Sequence, residues 1–256
     1  LKLISLTTDF GNDSPYISVA KAKLLSQVDD IELIDHSHGV EVGDINEAAL
    51  LIKMLTGHCP SGTIHIIAID FDQRNRRPEI LLGTGFGQYF ISYNSGILSL
   101  LLSEAQTFKI LGKYSGDHNN LIATLAPILG NIGNPEFENS LQNIEPDKLL
   151  VKRSLKSVIS DGRLTGNVVY VDGRGSLYTN IHKDDVEKFA KNGNFQIVLS
   201  RHESLDRIHE HPGQVEPGST VAYFSDLGSL VIAVHRGNAS QLLGIKKAGN
   251  MFIEIK

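Results

Sequence analysis

Two textures of apolar and polar positions follow one another along the chain. In the first half, short apolar runs alternate with segments of helical spacing. Leu3 to Thr7 reads as a buried strand that hands over to a loop at Asp9-Phe10-Gly11. Ser14 stands where a helix cap belongs, and Pro15 suits the first helical position because its missing N–H is harmless there. Tyr16, Val19, Ala20, Leu24 and Leu25 approximate an apolar face from that point. Ile31 to Ile34 is the next strand. Asp44 with Glu47 forms a capping-box-like start, Ala48, Leu51, Ile52 and Leu55 keep helical spacing, and Gly57 supplies a stop. Thr63 to Ile69 is a third apolar run, with Asp70 after it. Glu79 to Leu82 and Gln88 to Tyr93 are joined by Gly83-Thr84-Gly85-Phe86-Gly87. Glycines between two strands predict a hairpin, whereas a dinucleotide-binding loop needs a helix behind it. Ile97 to Ile132 reads as mainly helical around a short strand at Phe108 to Leu111.

From Gly133 to about Ser160 the pattern dissolves into Asn, Pro, Glu and Lys, the mark of a linker or edge excursion. Val168 to Asp172, Gln196 to Leu199, Val221 to Phe224, Leu230 to Val234 and Met251 to Ile255 then read as short strands between glycine-rich turns. The expected fold is an α/β N-terminal domain, a layered open sheet with helices, over residues 1–150. A small, mostly-β, barrel-like C-terminal domain follows over 151–256.

Composition narrows the function classes. With 256 residues and 41% hydrophobic content, the chain can bury a real core. Its net charge of −5, without a basic block, gives no footprint for nucleic acid or anionic lipid, so the expected partner is a small molecule. The lone Cys59 permits no intrachain disulfide and fits a reducing compartment. No apolar run reaches the roughly 18 to 20 residues needed to cross a bilayer, and the first residues show no secretory pattern, so the expected location is the cytoplasm.

Several residues carry possible chemistry, each with a plainer reading beside it. Asp9 ends a strand of an open α/β sheet, where a carboxylate can hold ribose hydroxyls or simply cap a turn. Asp70 and Asp72 could share a magnesium ion for phosphoryl transfer, with Lys183-Asp184-Asp185 as a distant companion. Arg74, Arg76 and Arg77 could fix an anion or pair with those carboxylates. Asp35, His36 and His38 make half of a zinc or iron site, or hydrogen-bond backbone, while His202, His209 and His211 read as loop histidines. His118, in Gly116-Asp117-His118-Asn119-Asn120, could accept a proton or lie in solvent. Tyr170 to Ile181, Ser225-Asp226-Leu227-Gly228 and Gly237-Asn238-Ala239-Ser240 read as strand-turn strings.

Taken in order, the strings resemble the S-adenosylmethionine hydroxide adenosyltransferases, or SAM hydrolases, a family related to the fluorinases and chlorinases. Thr8-Asp9-Phe10-Gly11 with Pro15-Tyr16 resembles the opening motif, and Asp35-His36-Ser37-His38 falls at an Asp-x-Thr-His string. Ser95-Gly96-Ile97-Leu98 resembles Asn-Gly-Leu-Leu, Asp172 to Ile181 resembles Asp-Arg-Phe-Gly-Asn-x-x-Thr-Asn-Ile, and Gly237-Asn238-Ala239 with Leu243-Gly244 resembles the closing motif. The resemblance implies an α/β domain followed by a β-barrel. It also implies a homotrimer whose ligand lies between one subunit's N-domain and its neighbour's C-domain, and hydrolysis of S-adenosylmethionine to adenosine and methionine with no cofactor and no metal. Asp70, Arg77 and His118 fall on the catalytic set, with Arg76 as the alternative arginine. Asp9 falls on the ribose ligand and Asp172 on the partner of the methionine ammonium. Ser95, Ser176, Ser225, Asp226, Asn238 and Ala239 fall on further substrate positions. Three departures stand out. Asp70-Phe71-Asp72-Gln73-Arg74-Asn75 replaces Asp-Pro-Gly-Val-Gly-Thr, Ser176 replaces an adenine-contacting Asn, and Asp226 replaces the serine that holds the methionine carboxylate. Adenosine or another adenosyl compound therefore stays open as the ligand, as does an adenosine-binding protein without turnover.

Overall fold

The computed structural model describes residues 1–69, 79–102, 107–113, 125–190, 195–199, 203–248 and 250–254. The chain divides into two compact units, Leu1–Ser154 and Leu155–Lys256. In the first, β1 (Lys2–Thr8), β2 (Ile31–Ser37), β3 (Ile64–Ala68) and β5 (Gln88–Tyr93) run parallel in the sheet order β2-β1-β3-β5-β4-β6. The remaining two strands, β4 (Glu79–Gly85) and β6 (Lys109–Lys113), add an antiparallel edge. The β4–β5 pair is the expected hairpin. Gly85 pairs with Gln88, and the two loop residues Phe86 and Gly87 both have positive φ (55° and 71°), as a type I′ turn requires.

Alternation along the strands gives each sheet face its own core. Ile4, Leu6, Ile64 and Ile66 pack with Ala20 and Leu24 of α1 (Pro15–Gln27) and with Leu125 and Leu129 of a helical segment at 125–129. On the opposite face Ile67, Leu81 and Phe90 pack under α2 (Ile45–Thr56) and α3 (Ile97–Leu101). Asp44 starts α2 as expected, its carboxylate accepting from the Asn46 and Glu47 backbone N–H groups. One expectation needs correction. Helix α1 buries Ile17, Ala20 and Leu24 and leaves Tyr16, Val19 and Leu25 exposed, because a helix apolar on most sides is oriented by its neighbours rather than by its own stripe. Of the two readings of the polar segment after Gly133, its first twenty residues follow the edge excursion rather than the linker. It carries α4 (Pro135–Ser140), bridges β6 through Ile110 N–H to Gln142 O and Ile144 N–H to Phe108 O, and is stitched to Asn94 and Ser99 at Lys148, Leu150 and Lys152.

The second unit is a nine-stranded mixed sheet. Its strands are β7 (Val158–Ser160), β8 (Arg163–Val171), β9 (Leu177–His182), β10 (Gln196–Val198), β11 (Ser204–Leu205), β12 (Ile208–His209), β13 (Thr220–Phe224), β14 (Ser229–Val234) and β15 (Asn250–Glu254). Two short helices, α5 (Lys183–Phe189) and α6 (Ala239–Leu243), accompany them. The order β11-β10-β15-β8-β9-β14-β13-β12, with β7 beside β8, does not close, so the expected barrel is not what the described strands form. Strand β8 spans both halves, pairing β15 and β7 along its first part and β9 along its last, across a register shift between Val168 and Tyr170 that bends it. Among the described residues, no helix is long and apolar enough to cross a membrane.

Candidate active site

The four parallel strands of the first unit end at one sheet edge, where open α/β sheets place ligands. Asp9 follows β1 there. Its Oδ2 accepts from the Gly43 N–H at 2.9 Å, which ties the loop after β1 to the approach of α2. Ser95 follows β5 and precedes Gly96, whose left-handed backbone (φ 94°) starts α3. Ser95 is 3% exposed, and its hydroxyl is buried with no hydrogen-bond partner. A buried hydroxyl left unpaired costs about 1–3 kcal/mol, so Ser95 holds donor capacity that the fold does not use. Between the ends of β1 and β5 lies β3, after which the chain runs through Ile69 to Asp70. Asp70, Arg76, Arg77 and His118 lie outside the described residues, as do Asp72, Arg74 and His202.

A chain of polar contacts, buried at Thr8 and His38 and exposed at Asp35, supports Asp9. The preceding residue, Thr8, is fully buried, and its Oγ1 lies 2.9 Å from His38 Nδ1. His38 Nε2 is 3.3 Å from Asp35 Oδ1, and Lys21 Nζ donates to Asp35 Oδ2 at 2.7 Å. Burial pushes the Asp35 carboxyl pKa up, but hydrogen bonds from Lys21 and His38 outweigh it and hold the group below its usual value. Gly11 N–H donates to His38 O at 2.8 Å, so His38 grips both sides of Asp9. Asp35, His36 and His38 therefore do not converge as metal ligands. His36 is the extra residue where β2 slips against β1 between Leu6 and Thr7, and burial lowers its pKa. Among the described residues, the one group placed to hold a metal ion is Glu41, Asp44 and Glu47, in which Asp44 already caps α2.

In the second unit, Asp172 to Ser176 form a closed turn. Asp172 Oδ1 accepts from the Arg174 and Ser176 backbone N–H groups at 2.9 and 2.8 Å, and Gly175 N–H donates to Asp172 O. Gly175 (φ 79°) presses against Asn238, which caps α6 by accepting from the Gln241 N–H at 2.8 Å. Asp172, Ser176 and Asn238 are thus brought together, with Ser176 8% exposed, and the Ala239 methyl sits in the apolar core beneath them. Ser225 and Asp226 lie in the β13–β14 turn, where Ser225 Oγ accepts from the Ser229 N–H at 3.2 Å and Asp226 is exposed. Asp185 closes the start of α5 by accepting from His182 N–H and the Ser157 hydroxyl, so Lys183-Asp184-Asp185 is a helix start. The spacing of the motifs did not point to three tyrosines, Tyr170, Tyr178 and Tyr223. Tyr170 and Tyr178 have ring centroids 5.5 Å apart. Burial, then the hydrogen-bonded Tyr223 and the negative charges of Asp172 and Asp226, push the Tyr178 hydroxyl up to about 12.

A two-unit chain with a carboxylate beyond the carboxyl ends of its parallel strands has the α/β arrangement in which open sheets place ligands. Its family follows from comparison. Residues 4–121 match the SAM hydroxide adenosyltransferase N-terminal domain and residues 166–251 match the C-terminal domain of the same family. The chain belongs to the SAM hydroxide adenosyltransferases. It is 22% identical to the (R)-S-adenosyl-L-methionine hydrolase of Methanocaldococcus jannaschii, covering 96% of this chain and 93% of that one. It is 23% identical to the hydrolase of the same name from Thermus thermophilus, covering 96% and 97%. A crystal structure of an uncharacterized conserved protein from Thermotoga maritima shares the fold, with a TM-score of 0.82 at 24% identity over 99% of both chains.

Proposed function

We propose that the protein hydrolyses S-adenosylmethionine to adenosine and methionine. The observation that carries this reading is the place of Asp9 at the carboxyl edge of the parallel sheet, in a chain whose two halves match the two domains of the family. Water attacks the ribose 5′ carbon. A C–O bond forms, the C5′–S bond breaks, and its electron pair returns to sulfur, so methionine leaves as a neutral thioether. Such a leaving group needs neither a general acid nor a metal, and the reaction is cofactor-free. What it needs is an aligned, partly deprotonated water. Asp70 and His118 hold that water and take its proton, and Arg77, with Arg76 as the alternative, stabilises the hydroxide-like charge. Asp9 accepts from the ribose hydroxyls and Asp172 from the ammonium group. Ser95, Ser176, Ser225, Asp226, Asn238 and Ala239 border the rest of the ligand, and the working assembly is a homotrimer.

The test is incubation of purified protein with S-adenosylmethionine and chromatography of the products. Adenosine formed above a His118→Ala control supports the proposal. Binding by calorimetry without product would replace hydrolysis with adenosyl binding, and no binding would overturn both. Light scattering of the purified protein tests the trimer.

A further inference from the structure

The second unit carries an aromatic row with acidic flanks. Across four neighbouring strands, Tyr170 pairs with Tyr178, Tyr178 with Val231, and Val231 with Tyr223. Residues directly opposite one another share a face of the sheet, so these four side chains stand in one row. Their sequence neighbours Leu177, Ala222, Leu230 and Ile232 form the unit's own core, which places the row on the other face. Tyr170 reaches that face because of the register shift after Val168, a core residue with which it would otherwise share a side. The hydroxyls of Tyr178 and Tyr223 are hydrogen-bonded to each other, and all three tyrosines are half-buried. Asp172 and Asp226 both lie close enough to raise the cost of ionising Tyr178, and Asp172 acts on Tyr223 as well. The turn uses Asp172 Oδ1 for its two backbone donors, which leaves Oδ2 outside that pair of bonds.

Tyrosine faces attract cations, most strongly where water is partly excluded, and two carboxylates beside them attract cations and repel anions. We infer that this face, built from Tyr170, Tyr178, Tyr223, Asp172 and Asp226, selects an adenosyl sulfonium whose side chain ends in an ammonium group and carries no carboxylate. The inference rests on the reading that Asp172 and Asp226 border the adenosyl ligand. In S-adenosylmethionine the ammonium and the carboxylate share one carbon, so a ligand that brings its ammonium to Asp172 also brings a negative charge toward the second aspartate. Loss of that carboxylate removes the repulsion and leaves two positive charges for two carboxylates. Hydrolysis is otherwise unchanged, with the C5′–S bond broken by water, its electron pair returned to sulfur, and a thioether that still carries the side-chain ammonium released.

Calorimetry on the full-length protein with four probes decides the matter: S-adenosylmethionine, its decarboxylated analogue, 5′-methylthioadenosine and adenosine. The decarboxylated sulfonium is expected to bind at least tenfold more tightly than S-adenosylmethionine, and the neutral thioether more weakly than the decarboxylated sulfonium. Asp226→Ser, in an exposed turn that tolerates serine, is expected to shrink that preference to threefold or less by improving S-adenosylmethionine. Tyr178→Leu is expected to weaken the decarboxylated sulfonium more than the thioether. Equal or tighter binding of S-adenosylmethionine by the native protein overturns this inference while leaving the proposed hydrolase standing, and so does an unchanged preference in Asp226→Ser. Failure of all four probes to bind overturns the hydrolase reading together with it.

Discussion

His65 gives the fold a defined acid limit. Its side chain is fully buried in the first unit, stacked on Phe90 with ring centroids 4.8 Å apart, between Ser5 Oγ at 3.1 Å from Nδ1 and Gln88 Oε1 at 2.9 Å from Nε2. The Gln88 amide nitrogen donates to the carbonyls of Thr56 and Cys59, so its oxygen is the atom that faces the ring and must accept. Nε2 therefore carries the proton, and Nδ1 accepts from the Ser5 hydroxyl. Burial lowers the His65 pKa, the Gln88 contact opposes that, and His36 lowers it further. The unfolded chain titrates near pH 6.5, so as the pH falls below that value the unfolded state takes up a proton that the folded state refuses. Stability is then fully present above about pH 6.5 and declines at about 1.4 kcal/mol per pH unit, until the folded pKa is reached. The native protein therefore loses stability on going from pH 7.5 to 5.0. His36, lowered by burial in the same way, adds in the same direction. In His65→Leu the acid term disappears, but Gln88 Oε1 and Ser5 lose their partner at a cost of about 1–3 kcal/mol at neutral pH. Urea unfolding followed by circular dichroism at pH 7.5 and 5.0 should find the variant clearly less stable at 7.5, with the gap to native protein smaller at 5.0. A gap of the same size at both pH values would show that His65 is not held neutral by its surroundings.

Three further outcomes follow from single sites. Asp44→Ala removes the acceptor of two N–H groups at the start of α2 and should cost about 1 kcal/mol in urea unfolding. Gly175→Ala should be far more damaging than Gly162→Ala. A Cβ at Gly175 (φ 79°) would lie 2.0 Å from Asn238 Oδ1 and break the α6 cap, for about 2 kcal/mol or more, whereas Gly162 (φ 71°) faces open space and carries backbone strain of about 1 kcal/mol. Tyr178, held at about 12, should stay protonated at pH 11, so the difference in ultraviolet titration between native protein and Tyr178→Phe is flat through that range. Because the unfolded phenol titrates near 10, the stability tied to Tyr178 is present below pH 10 and lost as the pH rises toward 12.

The parallel core was legible because a strand buried on both faces writes itself as a nearly unbroken apolar run, and Ile64 to Ile69 is such a run. The β4–β5 hairpin was legible in its glycines. Local signals faded where partners decide. Nothing within α1 distinguishes Ile17, which is buried, from Val19, which is exposed, since both are β-branched and apolar. The segment 133–152 read as a linker or an edge excursion because its side chains are polar, and composition could not choose between them, since its attachment to the first unit runs largely through backbone groups. Strands as short as β11 and β12 carry too few residues to show a period, and closure of a sheet depends on pairings between distant segments.

The candidate residues divide along the same line. Asp9, Ser95 and Asp172 were proposed because each ends a strand or opens a turn, positions that short-range pattern reveals. Their support could not be picked out that way. His38 looked like half of a metal site because it lies two residues from His36, but its ring nitrogens meet Thr8, thirty residues away, and Asp35. The tyrosine row is more hidden still, since it requires the register of four strands and a one-residue slip in β8. The tyrosine row turns on a bulge a few residues before Asp172. A bulge re-aims a side chain without changing its identity, so spacing along the chain names residues, and slips in register decide which neighbours they meet.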